Sequence, residues 1–585
     1  MRPFTYVRLA VFLLLPLLFS CRQPPTSNTT TGAPKPEPRG IGRRGGKLVY
    51  RLSSPPKTFN YLSANDEPSI LVAFFMLNSR LVEFDHSTQT YVPGLAESWT
   101  PAADHRSVDI KLRDGLKFSD GQPLTSSDVA FTLEAIYDER NKGEVFRDAL
   151  LINGKPISVK VIDDRNLQLV FPETIPAPDN YLYNIAVLPR KVLEADQKAG
   201  HLSEAWKITA PPASVVSSGP FVVESAAAAE RIVLKRNPYY WKRDAQGSQL
   251  PYLDELTLEV VPDANQARVG LDQAAIDIVD RVRPTDYASL LNAGGAVRAF
   301  DLGPGLGLDY IWFNLNPAKA DGTPINPSKV AWFSDAKFRR ALSMAVDRDS
   351  IAKSTLQGLA TPVYGVVSPA NRVWSNPNLP KIAYDLVKAA SLLQEAGFIK
   401  RGTADAPELF DAQGNRVEFS LLVPAESEPR KLMAAVVQED LAKLGIKMNV
   451  VPIEFAAVTN AWTKSFDYDA ILLGLSVTDL EPSTYANLLL SSGDTHQWRP
   501  NQKSPSTEWE AKVDALFAEQ ARESDPEKRK SKFHEIQRIV AEASPVIPIV
   551  ARHVVSAANS RVGNLSPSPI FPYSLWNADE LFIKQ

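Results

Sequence analysis

The sequence predicts an α/β protein whose sheets are covered by helices and grouped into more than one lobe. Three observations carry this. Strand-type and helix-type periodicities alternate from about residue 47 to the end of the 585-residue chain, with no repeat of fixed period. Hydrophobic residues make up 44% of the chain, and at this length about three-quarters of the extended surface is expected to be buried on folding. The 46 prolines impose many fixed turns rather than long uninterrupted helices. Composition also narrows the function. Lys and Arg total 64 against 67 acidic residues, a net charge of -3, so no charge excess recommends nucleic acid as a partner. The 10 Trp, 17 Tyr and 25 Phe offer aromatic surface for a pocket.

The elements follow in order. Arg2 and Arg8 precede an apolar run, Leu9 to Leu18, too short to span a bilayer and suited to the apolar region of a signal peptide. The run ends Leu18-Phe19-Ser20-Cys21, which resembles the lipobox of bacterial lipoproteins, where the chain is cut before the cysteine and the thiol is lipidated. Cys21 is the sole cysteine, which excludes an internal disulfide and a cysteine-cluster metal site. Residues 1–20 are thus expected to be a signal peptide. Residues 21–46, with Pro24, Pro25, Pro34, Pro36 and Pro38 among Thr, Ser and Gly, form a hydrated spacer. The folded body begins at Gly46-Lys47-Leu48-Val49-Tyr50. Val108, Ile110 and Leu112 alternate as one face of a strand, with turns at Asp114-Gly115 and Asp120-Gly121 around a short second strand. Thr125 and Asp128 resemble the two ends of a capping box, opening a helix with Val129, Leu133 and Ile136 on one face. Further strands are predicted at 232–234, 256–260, 446–450 and 470–475. Leu386, Ala389 and Leu393 mark a helix ending near Gly397; Met433, Val437 and Leu441 mark one ending near Gly445. Asp525-Pro526 caps and starts another, with Phe533, Ile536 and Val540 as its stripe.

Several blocks have a recognisable order. Pro93-Gly94-Leu95-Ala96-Glu97-Ser98-Trp99 is followed by Leu116-Lys117-Phe118-Ser119-Asp120-Gly121 and Asp128-Val129-Ala130-Phe131. Ser218-Gly219-Pro220-Phe221, Asn237-Pro238-Tyr239-Tyr240-Trp241 and Pro251-Tyr252-Leu253-Asp254 come next. Phe338-Arg339-Arg340-Ala341-Leu342 and Ala345-Val346-Asp347-Arg348 complete the series. In this the chain resembles the extracytoplasmic solute-binding proteins of ABC transporters, in the dipeptide and oligopeptide-binding family (bacterial family 5). Many of these residues have structural duties of their own: Trp99 and Trp241 are expected to pack, and Asp347-Arg348 to cap and pair locally.

The resemblance implies a two-lobed periplasmic-binding-protein-like fold with a hinged cleft. Residues 47–305 would form the first lobe, with an extra subdomain at 91–205; residues 306–544 would form the second, and 545–585 would return to the first. Gly303-Pro304-Gly305-Leu306-Gly307 is the expected crossing. The implied function is capture of di- or oligopeptides, or another elongated small solute, for an inner-membrane permease driven by separate ATPase subunits. The protein would be a monomer tethered to the lipid membrane outside the cytoplasm, periplasmic or at the cell surface, through Cys21. A receptor of the same fold for an oligosaccharide, opine or metal chelate is the alternative, and an exported hydrolase a more distant one. Expected ligand-binding residues are Tyr61, Asn65, Asp66 and Glu67 in the first lobe, and Asn314, Ser476, Asp479 and Trp498 in the second. Asp479 is the positional match to an aspartate that meets a peptide ammonium in relatives. The tryptophan expected near Leu475-Ser476 is missing and Leu480-Glu481-Pro482 shortens the following motif, which weakens the case for peptide.

Enzyme motifs are scarce. Ser350-Ile351-Ala352-Lys353 has a Ser-x-x-Lys spacing without its companion motifs. The six histidines, His86, His105, His201, His496, His534 and His553, form no His-Glu-x-x-His pattern, and no phosphate-binding Gly-Lys-Ser/Thr loop occurs. No catalytic residue, metal or cofactor is expected. The N-terminal reading has a direct test: Cys21→Ser should release the protein from the membrane fraction, and mass spectrometry of the mature wild type should find a lipidated Cys21. An unlipidated N-terminus far from residue 21 in the native host would defeat it.

Overall fold

The computed structural model describes residues 39–584 apart from 142, 228, 293, 294, 476, 478, 494 and 501. Cys21 and most of the expected spacer lie outside the described residues. One sheet of twelve strands runs through the molecule. In chain order its strands are β1 (Lys47–Leu52), β2 (Phe221–Ala227), β3 (Arg231–Arg236), β4 (Glu255–Val260), β5 (Ile278–Asp280), β6 (Val297–Pro304), β7 (Leu308–Phe313), β8 (Ala360–Pro362), β9 (Glu418–Pro424), β10 (Lys447–Ile453), β11 (Ala470–Leu475) and β12 (Val546–Asn559). The order across the sheet is β10-β9-β11-β7-β12-β5-β1-β4-β3-β2, with β6 and β8 also pairing with β12. A separate four-stranded antiparallel sheet is formed by Ala96–Pro101, Ser107–Leu112, Asn166–Val170 and Ser158–Val161.

The sheet is mixed. β1 lies parallel to β4 and β5, and β9 parallel to β10 and β11, whereas β12 is antiparallel to β5, β6, β7 and β8. β7, antiparallel to both β11 and β12, is covered on both faces: all six of its residues are buried, Asp309 included. Ile311 and Phe313 face one core with Phe338, Leu421 and Val437, while Tyr310 and Trp312 face another with Tyr485 and Phe533. This is the period of two, with helices on either side.

β12 belongs to both halves. Ile547 and Ile549 pack in a core built from residues between 311 and 550, and Ala558 packs in the core that holds Leu48, Leu256 and Phe300. The chain also crosses at Gly305-Leu306-Gly307, between the end of β6 and the start of β7. Gly303 adopts φ 78°, a conformation that a side chain disfavours. The Gly305 N–H donates to Arg552 O of β12 at 2.9 Å.

Local signals in the sequence are realised with small shifts. Thr125 and Asp128 form the capping box of helix Ser126–Tyr137. Asp525 accepts from Glu527 N and Lys528 N to open Pro526–Ala543. Helices Leu386–Glu395 and Glu428–Lys443 end before Gly397 and Gly445, both with positive φ. The short strand expected between the Gly115 and Gly121 turns is reduced to one bridge, Lys117 with Pro123. Asp347 does cap, accepting from Ser350 N at 2.9 Å, but Arg348 does not pair with it. Arg348 is buried and donates instead to Pro548 O of β12 and to Ser343 O. Arg339 likewise donates to the carbonyls of Ala543, Ser544 and Phe333, closing the C-terminal end of helix Pro526–Ala543. Burial pushes both guanidiniums down to about 10, so they stay charged at neutral pH.

Asp309, 1% exposed, sits between Arg430 Nε and Arg552 Nε, each at 2.8 Å. It joins β7, β12 and helix Glu428–Lys443 next to the crossing. Removing the carboxylate strands two cations, so Asp309→Ala should lower the unfolding free energy by about 3–5 kcal/mol in urea titration. Asp114→Ala, at a side chain 88% exposed, should change it by less than about 0.5 kcal/mol. Equal effects would show that the Asp309 cluster does not hold the crossing.

Candidate functional site

In open α/β sheets ligands bind beyond the carboxyl ends of parallel strands. β1 ends at Leu52 and β5 at Asp280, and the loops that follow bring Glu67 to Arg281 at 2.9 Å. Arg281 and Tyr573 both hold positive φ, 57° and 54°, beside this pair. Behind them the buried Asp280 carboxylate is saturated by Tyr50 Oη and by the hydroxyls of Ser556 and Ser574. Burial pushes its pKa up, and those donors pull it back.

The facing wall comes from the segment after β11. Asp479 accepts from Glu481 N at 2.8 Å and from the side chains of Thr484 and Asn180. Asn180 lies in the helical turn Asp179–Tyr183 of the first half of the chain, and Tyr91 Oη donates to its Oδ1 at 3.1 Å. Asp479 thus meets the opposite half directly. Glu481 pairs with Arg529 at 2.7 Å, whose guanidinium lies over the Trp374 ring. Asp179 accepts from Trp99 Nε1 at 2.9 Å. Burial pushes all three carboxyls, Asp179, Asp479 and Glu481, above their ordinary values. Tyr91 and Tyr181, pushed up first by burial, also feel the charges of both Glu481 and Asp479. A second contact between the halves lies nearby: Gln89 and Arg372 exchange hydrogen bonds with Ala370 O and Ser87 O. The contact between the halves therefore gathers three desolvated carboxyls, several tyrosines and Arg529.

The residues expected from sequence fall in different places. Asp479 lies beside Asn180 of the first half of the chain, and Glu67 pairs with Arg281. Asn65 is exposed, and Asp66 is spent as a cap, accepting from Ser69 N and Oγ at 3.0 Å. Tyr61 is fully buried, donating to Ala186 O with its ring against Phe74 and Phe146. It packs inside the first core rather than facing the cleft. Asn314 and Trp498 are also removed from Asp479. β7 pairs Leu308 with Leu475 at the crossing and Phe313 with Ala470 at the other end, which puts Asn314 about 20 Å from the Leu475 end of β11 at ~3.3 Å per residue. There its amide donates to Phe466 O and Tyr468 O. Trp498 accepts from Leu315 N at that same end and donates to Glu510 Oε1. Burial raises the Glu510 carboxyl, but hydrogen bonds from His496, Trp498 and Ser506 outweigh it and hold the group below its usual range. Trp498 anchors a loop. Ser476 lies outside the described residues. Sequence reasoning missed Asn180, Tyr91, Glu481 and Arg529; only the Glu481 position, beside a substituted motif, gave any signal. Among the described residues no group of three or more His, Cys, Asp or Glu could hold a metal.

Comparison with known proteins agrees with this architecture. The family profile described as bacterial extracellular solute-binding proteins, family 5 Middle, matches residues 90–497. A probable ABC transporter-binding protein of Deinococcus radiodurans is 30% identical, over 86% of this chain and 87% of its own. The oligopeptide-binding protein AppA of Bacillus subtilis is 27% identical over 92% and 91%; its structure with a nonapeptide superposes with a TM-score of 0.66, covering 93% of this chain and 100% of that one. The substrate-binding protein CtaP of Listeria monocytogenes shares the fold at a TM-score of 0.75 and 23% identity, again over 93% and 100%. With residues 90–497, well over half of the chain, matched by the family profile, the protein belongs to the bacterial extracellular solute-binding proteins of family 5.

Proposed function

We propose that this solute-binding protein captures peptides by their ammonium end and delivers them to an inner-membrane permease powered by separate ATPase subunits. The observation that carries this reading is the Asp479 carboxylate, withdrawn from water between the two halves and paired with no cation among the described residues. Such a group has an unspent attraction for a positive charge, and the attraction grows as the cleft excludes water. Relatives named for oligopeptide and dipeptide binding, and the nonapeptide complex of AppA, support peptide as the solute. The protein would act as a monomer, tethered through lipidated Cys21 and the spacer to residue 46, with lobes at 47–305, including the 91–205 subdomain, and 306–544, and a return at 545–585. Closure about Gly303 to Gly307 and β12 would trap the ligand, as in hinged domain pairs.

Calorimetric titration with short peptides tests the anchor. Asp479→Asn should weaken binding by roughly 1–3 kcal/mol, about five- to more than one-hundredfold. N-acetylation of the peptide should cost wild type a similar amount and the variant little, since both remove the same pair. Wild-type affinity should fall as pH drops from 7 towards the raised value of the carboxyl, starting above 3.8, the ordinary value; the variant should lose that dependence. The sign for stability is opposite. A raised value means that the folded state holds the proton more tightly than the unfolded chain, so the ionised group at pH 7 costs stability, a cost relieved as pH falls. Asp479→Asn should therefore raise the melting temperature of the unliganded protein while weakening binding. Acetylated peptides binding as tightly as free ones would overturn the anchor.

Closure is tested separately by small-angle scattering. The radius of gyration should fall when peptide saturates the protein, and an unchanged radius at confirmed occupancy would refute it.

A further inference from the structure

The loop that carries Asp479 and Glu481 rests on the segment 370–374. Asn371, fully buried, spends both ends of its amide there: Nδ2 donates to Leu480 O at 2.8 Å and Oδ1 accepts from Trp374 N at 3.0 Å. Trp374 supplies a second link. The Arg529 guanidinium lies 4.8 Å from the centre of its ring while pairing with Glu481 at 2.7 Å. Leu480 is therefore held by its carbonyl and Glu481 by its carboxylate, and Glu481 N donates to Asp479 Oδ1. These bonds tie the place of the Asp479 carboxylate to that of the segment 370–374.

That segment is itself gripped from the first half of the chain. Gln89, 6% exposed, lies in the turn of the hairpin that joins strands Val82–Asp85 and Thr90–Pro93. Its Nε2 donates to Ala370 O at 2.8 Å and its Oε1 accepts from Arg372 N at 3.0 Å. A carbonyl only accepts and a backbone N–H only donates, so chemistry settles which way the amide points. The residue between the two gripped positions is Asn371, the one that holds Leu480. Arg372 returns the contact, donating from Nη2 to Ser87 O at 2.8 Å.

The hairpin is built to hold this pose. Gln89 N donates to Asp85 O at 2.7 Å, and Asp85 Oδ1 accepts from Ser87 N at 2.7 Å. Gln89 itself adopts φ 59°, the left-handed region that a glutamine rarely takes. Phe84 of the same hairpin packs against the core that contains Trp374, Leu480 and Tyr485.

We propose that Gln89 is a positioning residue for the binding site: from the first half of the chain it fixes the backbone of 370–372, and through Asn371 it sets the loop that presents Asp479. The inference rests on the reading of Asp479 as the ligand anchor. It makes the geometry of that anchor depend on both halves, because the carboxylate belongs to one and the residue that places it to the other.

Hydrogen exchange of the unliganded mature chain tests this without any ligand. Gln89→Asn leaves the side chain too short to reach both partners, and asparagine tolerates the left-handed backbone. The amides of 479–486, Glu481 and Thr484 among them, should exchange about fivefold faster or more, while those of β9 in the same half keep their wild-type rates. Gln89→Met, similar in length but without either hydrogen bond, serves in its place if Gln89→Asn does not fold. Unchanged exchange at 479–486 would overturn the proposal. So would equal acceleration at 479–486 and β9, the mark of a merely structural role. Calorimetric titration with trialanine and N-acetyltrialanine reads the consequence at the anchor: the preference for the free peptide should shrink about threefold or more in the variant. Two affinities that fall together with the preference intact would count against a positioning role. A wild type without that preference would overturn the anchor reading alone, and the exchange comparison would still decide the role of Gln89.

Discussion

Everything in this fold depends on β12 being shared. A single strand of fourteen residues gives its first half to β7 and β8 and its second half to β5 and β6. Backbone hydrogen bonds must be satisfied along its whole length, because it is buried through the middle of the sheet. The two halves are consequently joined by a stiff ladder on one side and by the Gly305-Leu306-Gly307 link on the other. Such a pair of crossings resists separation of the halves. The polar groups clustered beside it follow from the same constraint: Arg348 on Pro548 O, and Asp309 between Arg430 and Arg552.

Buried charge is handled in two ways. Arg339 and Arg348 are solvated by backbone carbonyls, and Asp280 by hydroxyls and an N–H, so each burial is offset by fixed dipoles. These groups hold elements together. Asp479 shares with Asp280 a burial that its neutral donors only partly offset, but Asp280 is enclosed by donors from Tyr50, Ser556 and Ser574, whereas Asp479 lies where the two halves meet. On the proposed role of Asp479, the energy withheld from folding is what a ligand recovers, so stability and affinity move in opposite directions at this position.

The family blocks illustrate how a sequence signature can identify a fold while saying little about its ligand. Arg113 stacks on Trp241, whose Nε1 reaches Ser79, and a side chain on Gly219 would come within 2.6 Å of the Leu77 backbone. These residues recognise one another. A resemblance built on them therefore gives the architecture and leaves the solute open.

The amino-acid sequence by itself determined the local events: the capping box at Thr125 and Asp128, the Asp525-Pro526 helix start, the glycine stops at 397 and 445, and the apolar run that became β11. Each depends on groups within a few residues, so periodicity and cap chemistry suffice. It also singled out Asp479. Tertiary structure alone decided that Asn180 and Tyr91 meet Asp479, that Arg529 neutralises Glu481, and that Tyr61, Asn314 and Trp498 are consumed in packing. Those outcomes turn on pairs separated by tens to hundreds of residues, and a polar or aromatic side chain carries no local mark of which partner will satisfy it. The strand β12 shows the limit most clearly. Its place between the two lobes is set by four pairings, none of which its own residues specify.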